Sequence, residues 1–186
     1  MVECEWGDKM GTMYIFRGKA ATGKTTLSNM LAKKLSIPVL RKDDIIDALK
    51  SCTSFDTHDV VNKICYNILY EMVQSNLDLH ANFILDIALG DRNNATTFFK
   101  RLDFKNNTVI KFFVDCSDED IWKNRHIERL KHPLAHQTFQ SIEHLLDHYG
   151  KADIAPFDDE YRIDSVHSID ECFCEVLSLI KQASKK

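Results

Sequence analysis

Apolar positions along this chain fall into two alternating rhythms. Short β-branched and aromatic runs are followed by stretches in which apolar residues recur every three or four positions. Residues 12–16 form one such run and read as a buried strand. Residues 26–35 follow, with Leu27, Met30, Leu31 and Leu35 on one helical face. The same reading predicts a short strand at 36–40, a helix at 45–50, a polar break at 51–57 and a long amphipathic helix at 59–79. Further strands are expected at 82–88, 108–114 and 161–166. Helices are expected at 92–101, at 117–130 with Ser117 as its cap, at 139–148 and at 168–181. Pro133 stops the third last of these. Ser168, with Glu171 three residues on, opens the last with a capping box. Five strands alternating with helices predict an α/β fold of three layers: a five-stranded parallel sheet with helices on both faces. Residues 1–186 read as one domain, with 1–11 as a loose lead-in.

The chemistry lies where the first strand gives way to the first helix. Gly18-Lys19-Ala20-Ala21-Thr22-Gly23-Lys24-Thr25 fits the phosphate-loop pattern G-x-x-x-x-G-K-[ST] without a mismatch, in the strand–loop–helix context the pattern requires. Gly18 and Gly23 permit backbone angles that a side chain forbids. Successive N–H groups can then turn inward as an anion nest, with the positive end of a helix behind them. Gly18, Ala20, Ala21, Thr22, Gly23, Lys24, Thr25 and Thr26 are the expected nucleotide contacts. Lys24 brings a cation to the outer phosphates, and Thr25 offers a hydroxyl to Mg²⁺.

Ligands of parallel sheets bind beyond the carboxyl ends of the strands. Asp43 and Asp44 follow the second strand; one of them is the candidate base for an acceptor hydroxyl, and either also suits a helix cap. Asp86 ends the third strand, a place from which a carboxylate can hold Mg²⁺. Arg92 follows, as a clamp for acceptor or donor or as a solvated helix start. Asp115 ends the fourth strand. Arg125 and Arg129 share one face of the next helix, either as one wall of a closing lid over about 118–136 or as surface arginines paired with nearby acids. Charged groups converging on a phosphate cradle suit phosphoryl transfer, where catalysis is mostly positioning plus cations around the transferred group.

Composition narrows the field. Lys and Arg number 24 against 28 Asp and Glu, a net charge of −4, which argues against nucleic acid or an anionic membrane as partner. No apolar run reaches membrane-spanning length and no secretion signal opens the chain, so a cytoplasmic protein is expected. The six cysteines show no C-x-x-C pair and read as small buried hydrophobes. His144, Asp147 and His148 lack the glutamate of metalloprotease helices and read as a solvated face.

The chain resembles the small P-loop kinases of the nucleoside-monophosphate-kinase-like group. Within it the likeness is to the stand-alone AAA-domain branch that includes polynucleotide 5′-kinase, chloramphenicol phosphotransferase and zeta-toxin-like enzymes. Residues 18–25 and 41–44 carry the resemblance, supported by Leu85-Asp86 and by Arg125, Arg129 and Pro133. It implies ATP as donor, Asp43 as general base and the two lid arginines facing the nucleotide. One departure matters. The arginine that holds an acceptor phosphate in nucleotide and polynucleotide kinases is replaced by Ile45 and Ile46. The expected activity is therefore Mg²⁺-assisted transfer from ATP to a hydroxyl of a small molecule. A polynucleotide or nucleotide kinase is the second reading, and a nucleotide-binding switch or ATPase the third.

Overall fold

The computed structural model describes residues 10–52, 58–134 and 136–184. Most of the lead-in, residues 53–57 of the polar break, and position 135 within the expected lid lie outside the described residues. The elements run β1 (Thr12–Arg17), α1 (Lys24–Leu35), β2 (Val39–Arg41), α2 (Lys42–Cys52), α3 (His58–Asp78), β3 (Phe83–Ile87) and α4 (Arg92–Phe99). They continue with β4 (Thr108–Asp115), α5 (Glu119–Lys131), α6 (Ile142–Gly150), β5 (Glu160–Asp164) and α7 (Ile169–Ala183).

The five strands form one sheet in the order β2-β3-β1-β4-β5, with every pairing parallel. Its centre is dry because β1 alternates buried side chains to both faces. Met13 and Ile15 join Leu69, Val73 and Leu77 of α3 and Phe98 of α4. Tyr14 and Phe16 join Leu27 and Leu31 of α1 and Cys172 and Val176 of α7. The expected three layers are present. Among the described residues no helix is long and apolar enough to cross a membrane.

Several boundaries differ from the expected ones, each for a local reason. Strand β2 begins at Val39, because Ser36 takes a left-handed conformation (φ 55°) and its N–H closes α1 onto the Ala32 carbonyl. Helix α2 begins at Lys42, so Asp43 and Asp44 sit in its first turn, where the helix dipole favours acids. The cap of α5 is Asp118, not Ser117. The Asp118 side chain accepts from the Ile121 N–H at 2.9 Å, while the Ser117 N–H is bound to Asp164. Ser141 caps α6, which leaves residues 136–140 as a strap across the cleft, held by buried Phe139. The capping box of α7 is present as expected.

Arg17 closes β1 with a fully buried guanidinium. It donates to both carboxylate oxygens of Glu160 at 2.6 Å and to the carbonyls of Leu89 (2.9 Å), Gly90 (3.2 Å) and Ala155 (2.8 Å). The rings of Phe113 and Phe157 each lie 4.6 Å from its centre. All its charge is thus answered, the condition on which a buried ion pair is tolerated.

Candidate active site

The phosphate loop turns on Gly18 (φ +143°) and Gly23 (φ +90°). A Cβ at Gly18 would stand 2.1 Å from the Val114 carbonyl oxygen, so glycine is required there by close approach to β4. Ala21 also takes a positive φ of 61°, and the Thr22 hydroxyl braces the curl by donating to the Lys19 carbonyl at 2.9 Å. The loop and the strand ends enclose a cleft of about 270 Å³. Ala20, Ala21, Gly23, Lys24, Thr25 and Thr26 line it, and Thr22 lines an adjoining hollow beside Arg129.

Lys24 is 7% exposed, and its ammonium rests on the Lys19 carbonyl of its own loop. Burial pulls its pKa down from 10.5 to about 8 and Arg129 adds to this, against the opposite pull of Asp86 and Asp43. Asp86, 4% exposed, accepts with Oδ2 from the Ser28 hydroxyl (2.9 Å) and from Arg41 Nε (2.9 Å). Thr25 and Asp86 line the same cleft and offer only oxygen donors, the set that a hard divalent cation takes.

Of the two acids after β2, Asp43 lines the cleft. Asp44 faces the outer side, 65% exposed and 3.4 Å from Arg41. Beside Asp43 the cleft is walled by Lys42, Ile46, Asn62 and Tyr66. Lys42 donates to Asn62 Oδ1 at 2.8 Å and lies 4.5 Å from the Tyr66 ring centre; burial lowers its pKa. Ile46 both lines the cleft and packs on Val61 and Cys65, whereas Ile45 packs against the core.

The arginines separate. Arg129 lines the cleft and the hollow beside it. Arg125 lines only that hollow, donating to the Ser165 hydroxyl (2.9 Å) and carbonyl (2.6 Å). Arg92 lies outside both, 3.9 Å from Asp153 and against the Phe157 ring.

Several cleft residues carry no signal in the sequence, Tyr149, His126 and His136 among them. The Ala20 N–H of the phosphate loop donates to the Tyr149 hydroxyl at 2.7 Å, and Trp122 Nε1 donates to the Ala20 carbonyl at 2.7 Å. Burial raises the Tyr149 pKa to about 12, so the phenol is neutral at any working pH. His126 is 1% exposed with neither ring nitrogen hydrogen-bonded; burial, with Arg129 nearby, lowers its pKa. His136 reaches Asp47 Oδ2 at 2.9 Å and Asp43 Oδ2 at 3.6 Å. His144 and His148 are exposed, with both rings against Phe139; His148, read as part of a solvated face, also lines the cleft, and no group of metal-binding side chains occurs among the described residues.

A family model described as an AAA domain matches residues 13–149. No curated protein matches the sequence. Among solved structures, a protein of Chloroflexus aurantiacus J-10-fl, named a kinase by inference, is 20% identical with a TM-score of 0.71, covering 94% of this chain and 99% of its own. A gluconokinase of Sinorhizobium meliloti 1021 is 13% identical, TM-score 0.64, with 94% of each chain covered. An APS kinase of Mycobacterium tuberculosis, solved with AMPPNP and APS, is 17% identical, TM-score 0.61, covering 92% of this chain and 98% of that one. At these identities the likeness is one of fold.

Proposed function

The chain belongs to the AAA domain family, and from that premise we propose that it is an ATP-dependent kinase that phosphorylates a hydroxyl of a small molecule. The observation that carries the reading is one of placement. The Lys24 ammonium, the phosphate loop that carries it and the Asp43 carboxylate line one cleft, while Asp44 turns away. The kinases that share this fold support the same reaction class.

The residues divide the work. The loop amides from Ala20 to Thr26 hold the β- and γ-phosphates. Lys24 leaves its own loop carbonyl for the phosphate oxygens. Arg129 meets the charge that builds on the transferred group, as part of a lid over about 118–136. Thr25 and Asp86 would hold Mg²⁺, which when bound would supply charge neutralisation on the polyphosphate. Asp43 takes the proton as the acceptor oxygen attacks the γ-phosphorus and the bond to ADP breaks. Arg125 anchors the nucleotide-side hollow through Ser165 rather than touching the transferred group.

On the acceptor side, the Lys42 ammonium is taken up by Asn62 and the Tyr66 ring, and Arg129, the only arginine lining the cleft among the described residues, lies on the lid helix. This supports an acceptor without a phosphate clamp over a nucleotide or a nucleic-acid end. The test is ATP turnover with and without a panel of hydroxyl compounds. Turnover should be slow alone and rise with an acceptor, because closure excludes water. Lys24→Ala should abolish turnover and weaken ATP binding. Asp43→Asn should lower kcat roughly 10²- to 10⁴-fold with ATP affinity nearly kept. Full activity in Asp43→Asn removes Asp43 as the base.

A further inference from the structure

His136 is the one strap residue that touches the candidate base, and it does so between two carboxylates. Asp43 and Asp47 stand one turn apart on α2. The imidazole lies over both, with Nδ1 at 2.9 Å from Asp47 Oδ2 and Nε2 at 3.6 Å from Asp43 Oδ2. The first distance is a hydrogen bond and the second is not. Because a carboxylate only accepts, Nδ1 must carry the proton given to Asp47. In the neutral ring that leaves Nε2 as a lone pair. The lone pair then faces a second acceptor, Asp43, and two acceptors stand apart as observed.

We propose that His136 is a positioning residue that holds the protonated form of Asp43 during phosphoryl transfer. The inference rests on the kinase reading above. When the acceptor O–H bond breaks, its proton moves to Asp43. The new Asp43 O–H then donates to His136 Nε2, and the gap of 3.6 Å contracts into a hydrogen bond. No proton leaves the pair, and none is needed from elsewhere. The contact is absent before transfer and present as transfer proceeds, so it lowers the barrier rather than binding the ground state. Asp47, whose Oδ1 is buried without a hydrogen-bond partner, fixes the ring's tautomer. The same contact ties the strap to α2, so the base is completed only when the strap lies across the cleft.

Two measurements on the full chain test this. The first needs no nucleotide: two-bond ¹⁵N–¹H spectra of the histidine rings at neutral pH. His136, assigned by loss of its signals in His136→Gln, should show a single proton fixed on Nδ1. Asp47→Ala should release it toward the Nε2–H form. A wild-type ring protonated on Nε2, or on both nitrogens, overturns the proposal. The second is single-turnover ATP hydrolysis with Mg²⁺, water standing in for the acceptor hydroxyl. His136→Ala should slow the step about tenfold, the worth of one hydrogen bond, with the concentration giving half the maximal single-turnover rate unchanged. In an Asp43→Asn background the same change should cost nothing further. His136→Gln, which keeps a donor for Asp47 but cannot face both acids, should behave as His136→Ala and guards against misfolding. Equal slowing in both backgrounds means that His136 does not act through Asp43, and the proposal fails while the kinase reading stands. Absence of any wild-type turnover, both with water and with the panel of hydroxyl compounds, overturns the kinase reading, and the proposal with it, whatever the tautomer.

Discussion

A lysine that waits out of water should take up a proton when its anion arrives. Lys24 is 7% exposed and its pKa lies near 8 in place of 10.5. The difference corresponds to roughly 3 kcal/mol by which the nucleotide-free fold disfavours the charged form. At pH 8 about half the molecules therefore carry a neutral Lys24. Polyphosphate beside the amine restores the charged form, so ATP binding at pH 8 should draw in roughly half a proton. The uptake should fade toward pH 6.5, where Lys24 is already charged. Calorimetric titrations at pH 8 in two buffers of different ionisation enthalpy measure it directly. Lys24→Arg keeps the charge but does not titrate, and should bind ATP without that uptake. The stability of the free protein carries the same signature. Between about pH 8 and 10.5 the unfolded chain binds more protons than the fold, so this group makes stability rise with pH across that window. Equal uptake in wild type and Lys24→Arg, or none in either, refutes the argument that burial depresses this lysine.

Other perturbations read other parts of the structure. Arg17→Met strands the buried Glu160 carboxylate and should cost about 3–5 kcal/mol in chemical denaturation. The double change Arg17→Met with Glu160→Leu should cost markedly less, since both charges go together. A single-variant loss below about 1 kcal/mol would contradict the assigned burial. Tyr149→Phe removes the hydroxyl that holds the Ala20 N–H and frees that amide for a phosphate oxygen. Calorimetry should find ATP binding several-fold tighter and the free protein about 1 kcal/mol less stable. Weaker ATP binding in Tyr149→Phe would mean that the phenol contacts nucleotide instead of competing with it.

What the sequence disclosed was local in origin. The phosphate loop is a run of eight contiguous residues, so its spacing sufficed to mark it. The layering followed from period alone, because α1, α3 and α7 each turn one apolar stripe onto the sheet. Asp43 was narrowed to a pair by its place after β2, and only helix phase separates the two: Asp43 turns to the cleft, Asp44 to solvent. The residues that escaped notice act across long gaps in the chain. Tyr149 meets a loop amide 129 positions away, and His136 meets Asp47 across 89. Arg125 lines one hollow with Arg129, but nothing local announces Ser165 as its partner. Arg92 lies at a helix start by its sequence position, and its turn toward Asp153 depends on a loop that periodicity does not resolve.

The anchorage made by Arg17 divides the cleft into a fixed jaw and an adjustable one. By gripping the carbonyls of Leu89, Gly90 and Ala155, it leaves the loop after β3 little freedom to be recut. The described residues of the opposing jaw, from α2 and α3 to the strap at 136–140, are joined by single side-chain bonds such as Lys42 to Asn62 and His136 to Asp47. Variation in what this scaffold accepts should therefore accumulate at Ile46, Asn62, Tyr66 and the strap, while the wall behind Leu89 and Gly90 stays as it is.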